Sequence, residues 1–192
     1  MPVNATFPES LSTARLELRA YGKADAAAIL ALIEADRQRL LRNFKDLAQG
    51  LATLEEARSF IADCARQREA RKTFFYGIWL KEPRQLVGQL KLKNLLWDMP
   101  SAELSYFIGS AHQRQGYASE AIKAVLQEAF ENLGFNRVYA RIIASNTESL
   151  ELARKLGMRH EGLHRLEFRC GLGELHDVNY FALAPGDFGS QR

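Results

Sequence analysis

His112-Gln113-Arg114-Gln115-Gly116-Tyr117-Ala118-Ser119-Glu120-Ala121 is the stretch on which the reading of this chain turns. Residues 103–108 before it alternate as a strand, and residues 119–133 after it carry apolar side chains at helical spacing. Between them lies a short, polar, basic loop with a glycine where the chain must turn into the helix. Gly116 can take backbone angles that a side chain forbids. Ala118 and Ser119 are small, so a ligand can come close to the backbone. The unpaired first N–H groups of the helix and the positive end of its dipole then face that ligand. A corner of this kind binds anions, and a pyrophosphate suits it. The loop lacks the Gly-Lys-Ser/Thr end of a Walker loop and the G-x-G-x-x-G of a dinucleotide site.

Working outward toward the N-terminus, residues 102–108 follow two further strand patterns. Residues 73–80 put Phe74, Tyr76, Ile78 and Leu80 on one face, with Phe75 and Trp79 on the other. Residues 86–95 form the next strand, where Gly88 predicts a bulge or a close backbone approach. Turns at residues 81–84 and 97–100 make the three an antiparallel meander. Before them, Thr53-Leu-Glu-Glu56 is a capping-box pattern for a helix carrying Ala57, Phe60, Ile61 and Cys64. Residues 25–44 read as helix, and the charged middle at residues 34–39 is the place for a break in it. Residues 13–21 read as a first strand, with Leu16 and Leu18 on one face and Gly22 ending it.

Toward the C-terminus, Gly134 is the natural end of the helix over residues 119–133. Residues 137–143 are a strand, Asn146 opens a short helix through Leu156, and Gly157 stops it. Strand-like runs follow at residues 163–168 and 178–183, parted by Gly171-Leu-Gly173. This order predicts a mixed sheet flanked by helices, α+β or α/β by class.

Bulk properties narrow the function. A chain of 192 residues with no repeat or linker predicts one domain spanning residues 1–192. The net charge of +3 speaks against a nucleic-acid binder, which needs a dense basic stripe. No apolar run reaches the roughly 20 residues that cross a bilayer. The start, Met1-Pro-Val-Asn-Ala-Thr-Phe7, lacks the features of a signal peptide, so the expected location is the cytoplasm. Cys64 and Cys170 are too few for a disulfide or metal framework and read as free thiols. His112, His160, His164 and His176 show no ligand spacing, so no metal is expected.

Gln113-x-x-Gly116-x-Ala118 resembles the Q/R-x-x-G-x-G/A signature of the GNAT N-acetyltransferase superfamily. In that superfamily the loop wraps the pyrophosphate of acetyl-coenzyme A, the expected co-substrate. Asn146-Thr-Glu-Ser149 followed by Lys155-Leu-Gly157-Met-Arg-His-Glu161-Gly162 resembles a run of the Rim-type branch, which includes acetyltransferases of ribosomal-protein N-termini. Thr13-x-Arg-Leu-x-Leu-Arg19, Glu103-Leu-Ser-Tyr106 and Gly171-x-Gly173-x-x-x-Asp177 are similar to other parts of that branch. The resemblance covers the chain from about Leu16 to Ala182. It implies that Gln113, Arg114, Gln115, Gly116, Tyr117, Ala118 and Ser119 hold the cofactor phosphates. It implies further that Asn146 bonds the pantetheine arm and that a backbone N–H near Phe107 and Ile108 meets the oxyanion. Ala118 and Met158 are tolerable departures from the family pattern. Ala153 is a larger one, because many members place there the tyrosine that protonates the departing thiolate. The Rim-type branch lacks that tyrosine too, and its proposed substitute corresponds to Ser149.

The chemistry sets what must be supplied. An amine attacks the thioester carbonyl, and it must be neutral to do so. An α-amino group of pKa about 7.7–8.0 is neutral in about a tenth of molecules at pH 7. A lysine amine near 10.4 is neutral in only about one in 2,500, a cost of roughly 4.6 kcal/mol. An N-terminal acceptor therefore needs only a modest base. Glu103, on the central strand, is the first candidate and Glu167 the second. Bland readings stand beside each role. Glu103 can pair with an arginine across the sheet, Glu167 can be a solvated strand residue, and Ser149 and Asn146 can serve as helix caps. Asp177 reads as a turn former, and Trp97 and Tyr106 are candidates to line an acceptor cleft.

The resulting expectation is direct acetyl transfer to a protein N-terminus, by a monomer or homodimer. The alternatives are a small amine acceptor (a polyamine, amino acid or antibiotic) and a coenzyme-A-binding module without turnover.

Overall fold

The structure, a computed structural model, describes residues 6–189. Residues 1–5, on which most of the signal-peptide reading rests, lie outside the described residues. Among the described residues, no helix is long and apolar enough to cross a membrane.

Eight strands form one mixed sheet in the order β1-β2-β3-β4-β5-β6-β8-β7. In chain order they are β1 (Ser10–Ser12), β2 (Leu16–Arg19), β3 (Phe74–Leu80), β4 (Gln85–Leu96), β5 (Ser101–Ile108), β6 (Arg137–Ile143), β7 (Arg159–Arg169) and β8 (Leu175–Leu183). The helices are α1 (Ala26–Asn43), α2 (Lys45–Gly50), α3 (Leu54–Glu69), α4 (Tyr117–Gln127), α5 (Thr147–Lys155) and α6 (Pro185–Gly189). The expected meander is present as β3-β4-β5, paired antiparallel.

The period-two pattern of β3 decides which helices cover which face. Phe74, Tyr76, Ile78 and Leu80 are buried with Ala121, Ile122, Val125 and Leu126 of α4. Trp79 lies with Ile29 and Ile33 of α1 and Ala57 and Ile61 of α3 on the opposite side. The sheet is thus a middle layer between α1–α3 and α4–α5.

Several local expectations hold. Thr53 caps α3, accepting from Glu56 N–H at 3.2 Å, while Glu56 Oε2 accepts from Thr53 N–H at 2.8 Å. Gly88 sits at a register shift between β3 and β4, and a Cβ there would lie 2.4 Å from the Phe107 carbonyl oxygen. Both the bulge and the close approach are therefore real. Two expectations do not hold. The helix over residues 25–44 is unbroken at residues 34–39, because Arg37 pairs with Glu34 and Arg39 with Asp36 along its surface. The break falls at Phe44, before α2. Asp177 is no turn residue either. It lies inside β8, and its Oδ1 accepts the Leu166 N–H of β7 at 2.8 Å.

Candidate active site

The site begins where the sheet splits. β5 and β6 are the parallel pair, and they pair over only three positions: Ser101 with Arg137, Ala102 with Val138, and Glu103 with Tyr139. Beyond Glu103 the strands part, β5 staying with β4 and β6 with β8. At the level of the fork β4 carries an irregularity between Lys93 and Leu96, with Asn94 at φ 51. Such bulges bend a strand and re-aim the side chains next to them. The fork opens toward the carboxyl ends of both strands, where the N-termini of α4 and α5 also lie. In open sheets this is the place where ligands bind.

The residues of the loop at 112–119 lie at the open end of β5. Gly116 takes φ 82, a left-handed conformation of the kind that only its freedom from a side chain makes easy. No side chain of the described residues caps the first turn of α4. Arg114 also has a positive φ of 61, and its guanidinium reaches Glu148 of α5 at 3.2 Å. A clamp from the start of β2 holds the loop. Arg15 Nη1 donates to the Gln115 carbonyl at 2.9 Å, and the Arg15 guanidinium lies over the Tyr117 ring at 4.7 Å. Thr13 Oγ1 donates to Glu120 Oε1 at 2.6 Å. The Thr13-x-Arg15 motif thus acts at a distance of about a hundred residues along the chain, which no local pattern could show.

The base of the loop is tied to α1. Asp36 is buried and accepts Ser110 N–H at 2.7 Å, while Arg39 Nη2 donates to the Ile108 carbonyl at 2.8 Å. Gly109 N–H is turned to β4, donating to Val87 at 2.8 Å. By strand alternation the Ile108 N–H points away from β4, on the side of the fork, while Arg39 takes the Ile108 carbonyl. Phe107 and Ile108 side chains are buried, so this stretch can offer only its main chain.

The fork itself is a cleft lined by Glu103, Tyr106, Arg141, Asn146, Ser149 and Phe168, among others. Asn146 is the N-cap of α5, its Oδ1 accepting Ser149 N–H at 3.2 Å. The capping oxygen leaves the two amide donors of Asn146 for another partner. Glu103 is only 3% exposed, and it pairs with a lysine rather than an arginine. Lys93 Nζ lies 2.9 Å from Oε1, and Asn94 Nδ2 donates to Oε2 at 2.8 Å. Glu167 does not line the cleft and is no solvated residue. Its carboxylate meets Tyr180 Oη at 2.6 Å, Arg141 Nη2 at 2.5 Å and His164 Nδ1 at 3.0 Å. Burial pushes its pKa up, but the Tyr180 hydroxyl and the Arg141 and His164 charges outweigh that and hold it below the usual carboxylate range.

Sequence reasoning missed Lys93, Asn94 and Arg141. Each lies on a strand as an ordinary polar residue, and only strand pairing brings it to the fork. Of the two aromatics expected near the acceptor, Tyr106 lines the cleft. Trp97 instead packs edge-on against Phe74 and Phe135, beneath Arg71. Buried Cys64 has its thiol pKa pushed up by desolvation, which makes it inert as a nucleophile. The β7–β8 hairpin brings the ligand atoms of Cys170, Glu174 and His176 within 4.8 Å of one another, outside the cleft lining.

Acetyl-coenzyme A fits this arrangement. The left-handed Gly116 and the uncapped α4 turn suit a pyrophosphate, and the fork offers main-chain N–H and amide donors for an extended arm.

The family model for the GNAT acetyltransferase domain matches residues 15–159, which takes in the Arg15 clamp, the loop, the fork and the Asn146–Ser149 turn. The Bacillus subtilis protein described as uncharacterized N-acetyltransferase YoaA is 30% identical over 173 residues, covering 90% of this chain and 95% of its own. Among solved structures, RimL, the ribosomal L7/L12 alpha-N-protein acetyltransferase in complex with coenzyme A, superimposes with a TM-score of 0.85 at 21% identity. That match covers 92% of this chain and 98% of RimL. RimJ of Mycobacterium smegmatis, in complex with CoA-disulfide, gives 0.83 at 23% identity over 94% of this chain and 90% of its own. At these identities the solved structures speak for the fold. The chain belongs to the GNAT acetyltransferase family, whose members take an acetyl group from acetyl-coenzyme A and pass it to an amine.

Proposed function

We propose that this chain acetylates the N-terminal α-amino group of a protein, with a ribosomal protein as the acceptor class that its Rim-type motifs favour. The observation that carries this reading is the condition of its two candidate bases. Both oxygens of Glu103 already accept, from Lys93 and Asn94. The pKa of Glu167 is held low, which weakens it as a base. Such a site is poorly equipped to deprotonate a lysine, at roughly 4.6 kcal/mol, and well enough equipped for an α-amine.

The roles follow from position. Gln113, Arg114, Gln115, Gly116, Tyr117, Ala118 and Ser119 bind the pyrophosphate, and Asn146 holds the pantetheine arm. The Ile108 N–H, beside Phe107 at the mouth of the fork, meets the carbonyl oxygen as it gains charge. Glu103 takes the proton of the attacking amine through a water. Glu167 holds Arg141 at the fork wall. Ser149 gives a proton to the sulfur as the carbon–sulfur bond breaks.

The test is a set of peptides with free N-termini, set against the same peptides with blocked N-termini and internal lysines, and against free small amines. Thiol release with mass spectrometry should place the acetyl on the α-amine. Acetyl on lysine, or turnover only with small amines, overturns the acceptor assignment.

A further inference from the structure

Tyr106, on the β5 arm, and Ser149, in the first turn of α5 beyond the β6 arm, meet across the fork with Oη and Oγ 3.3 Å apart. We propose that Tyr106 is the positioning residue for Ser149: its phenol donates to the serine Oγ, orients the serine proton toward the thioester sulfur and supports the charge that forms on Oγ. This rests on the acetyl-transfer reading of the same cleft.

Three observations carry it. First, a serine hydroxyl has one proton and rotates freely. In the first turn of a helix it can turn back onto a main-chain carbonyl, where it is useless to a ligand. A phenol donating to one of its lone pairs removes that freedom. Second, a serine is a much weaker acid than the phenol that many family members place at position 153, where this chain has a buried Ala153. An alkoxide forming on Ser149 needs support, and the Tyr106 O–H is the contact in place to give it. Third, burial pushes the Tyr106 pKa up, so the phenol keeps its proton and remains a donor.

The step balances as follows. The amine nitrogen bonds to the acetyl carbon, and the carbon–sulfur bond breaks with its electron pair going to sulfur. Ser149 passes its proton to sulfur as the Tyr106 O–H proton shifts toward Oγ, so the pair shares the charge. Through solvent the pair then regains the proton that Glu103 took from the amine nitrogen. The net transfer is one proton from nitrogen to sulfur, and Tyr106 ends unchanged.

The experiment compares Tyr106→Phe, Ser149→Ala and the double variant by thiol release, using whichever amine the unmodified protein accepts. A wrong acceptor class therefore leaves this test intact. Tyr106→Phe should lower kcat about tenfold, as for one lost hydrogen bond to a charged group, with coenzyme A affinity within about twofold of normal. The double variant should be no slower than Ser149→Ala alone, because residues acting as a unit are non-additive. A purely structural tyrosine would lower the melting temperature and would multiply its effect with that of Ser149→Ala. Normal kcat in Tyr106→Phe, or losses that multiply in the double variant, overturns the proposal. Normal kcat in Ser149→Ala overturns it together with the role of the serine, while the acceptor assignment stands or falls on the peptide comparison.

Discussion

Arg15 Nε donates to Glu120 Oε2 at 2.7 Å, joining the start of β2 to the first turn of α4. The pair has two effects. It fixes the loop, because the same guanidinium also holds the Gln115 carbonyl. It also neutralises a carboxylate that would repel the cofactor phosphates proposed to sit at this helix N-terminus. Arg15→Ala should therefore weaken coenzyme A binding by about tenfold, or about 1.4 kcal/mol. Arg15→Ala with Glu120→Gln should recover part of that loss, since the repelling charge is gone. Calorimetry on both variants checks this, and a double variant weaker than the single one would refute the electrostatic half.

Gly116 stands at φ 82 just before α4. A β-branched residue there must leave the left-handed region or strain the turn. Gly116→Val should weaken coenzyme A affinity tenfold or more, about 1.4 kcal/mol, in a folded protein. Unchanged affinity would remove the phosphate role of this loop.

Glu103 and Glu167 make opposite forecasts. Glu103→Gln should cut kcat on an N-terminal peptide by ~10²-fold, the lower end of general-base effects. Glu167→Gln should reduce kcat much less and lower thermal stability instead, because it leaves Arg141 without its carboxylate. Steady-state rates and melting curves on both variants decide the matter. The reverse ranking would make Glu167 the base.

Asp36 sets an acid limit on the fold. Burial alone would raise its pKa, but Arg39 and the Ser110 contact outweigh it and hold the carboxyl below its ordinary value. A depressed folded pKa stabilises above the unfolded value, about 3.9, and that stabilisation is lost as pH falls through the folded value. Urea melts from about pH 5 down to about pH 3 should show a shallower loss of stability in Asp36→Asn than in the unmodified chain. Parallel slopes would show that Asp36 plays no such part.

The sequence by itself determined most of the elements and the tight turn at Gly116. Strand alternation in residues 73–80, the capping box at Thr53 and the glycines at 116, 134 and 157 are short-range signals, each written within a few residues. They register local backbone geometry and one-sided burial, and both are visible along the chain. The same holds for Asn146 as the cap of α5. The break misplaced within α1 shows the limit even here, because side-chain pairs along its surface carried a charged run through as helix. Only the tertiary structure decided what the site residues do to one another. That Glu103 meets Lys93, that Arg15 holds Glu120, and that Tyr106 reaches Ser149 are contacts across 10, 105 and 43 residues of chain. Lys93 and Glu103 meet as register partners of β4 and β5, and Tyr106 reaches Ser149 because β5 and β6 part after three paired positions. A fork of that kind is a property of strand register and twist, summed over many weak contacts, and no local stretch of sequence records it.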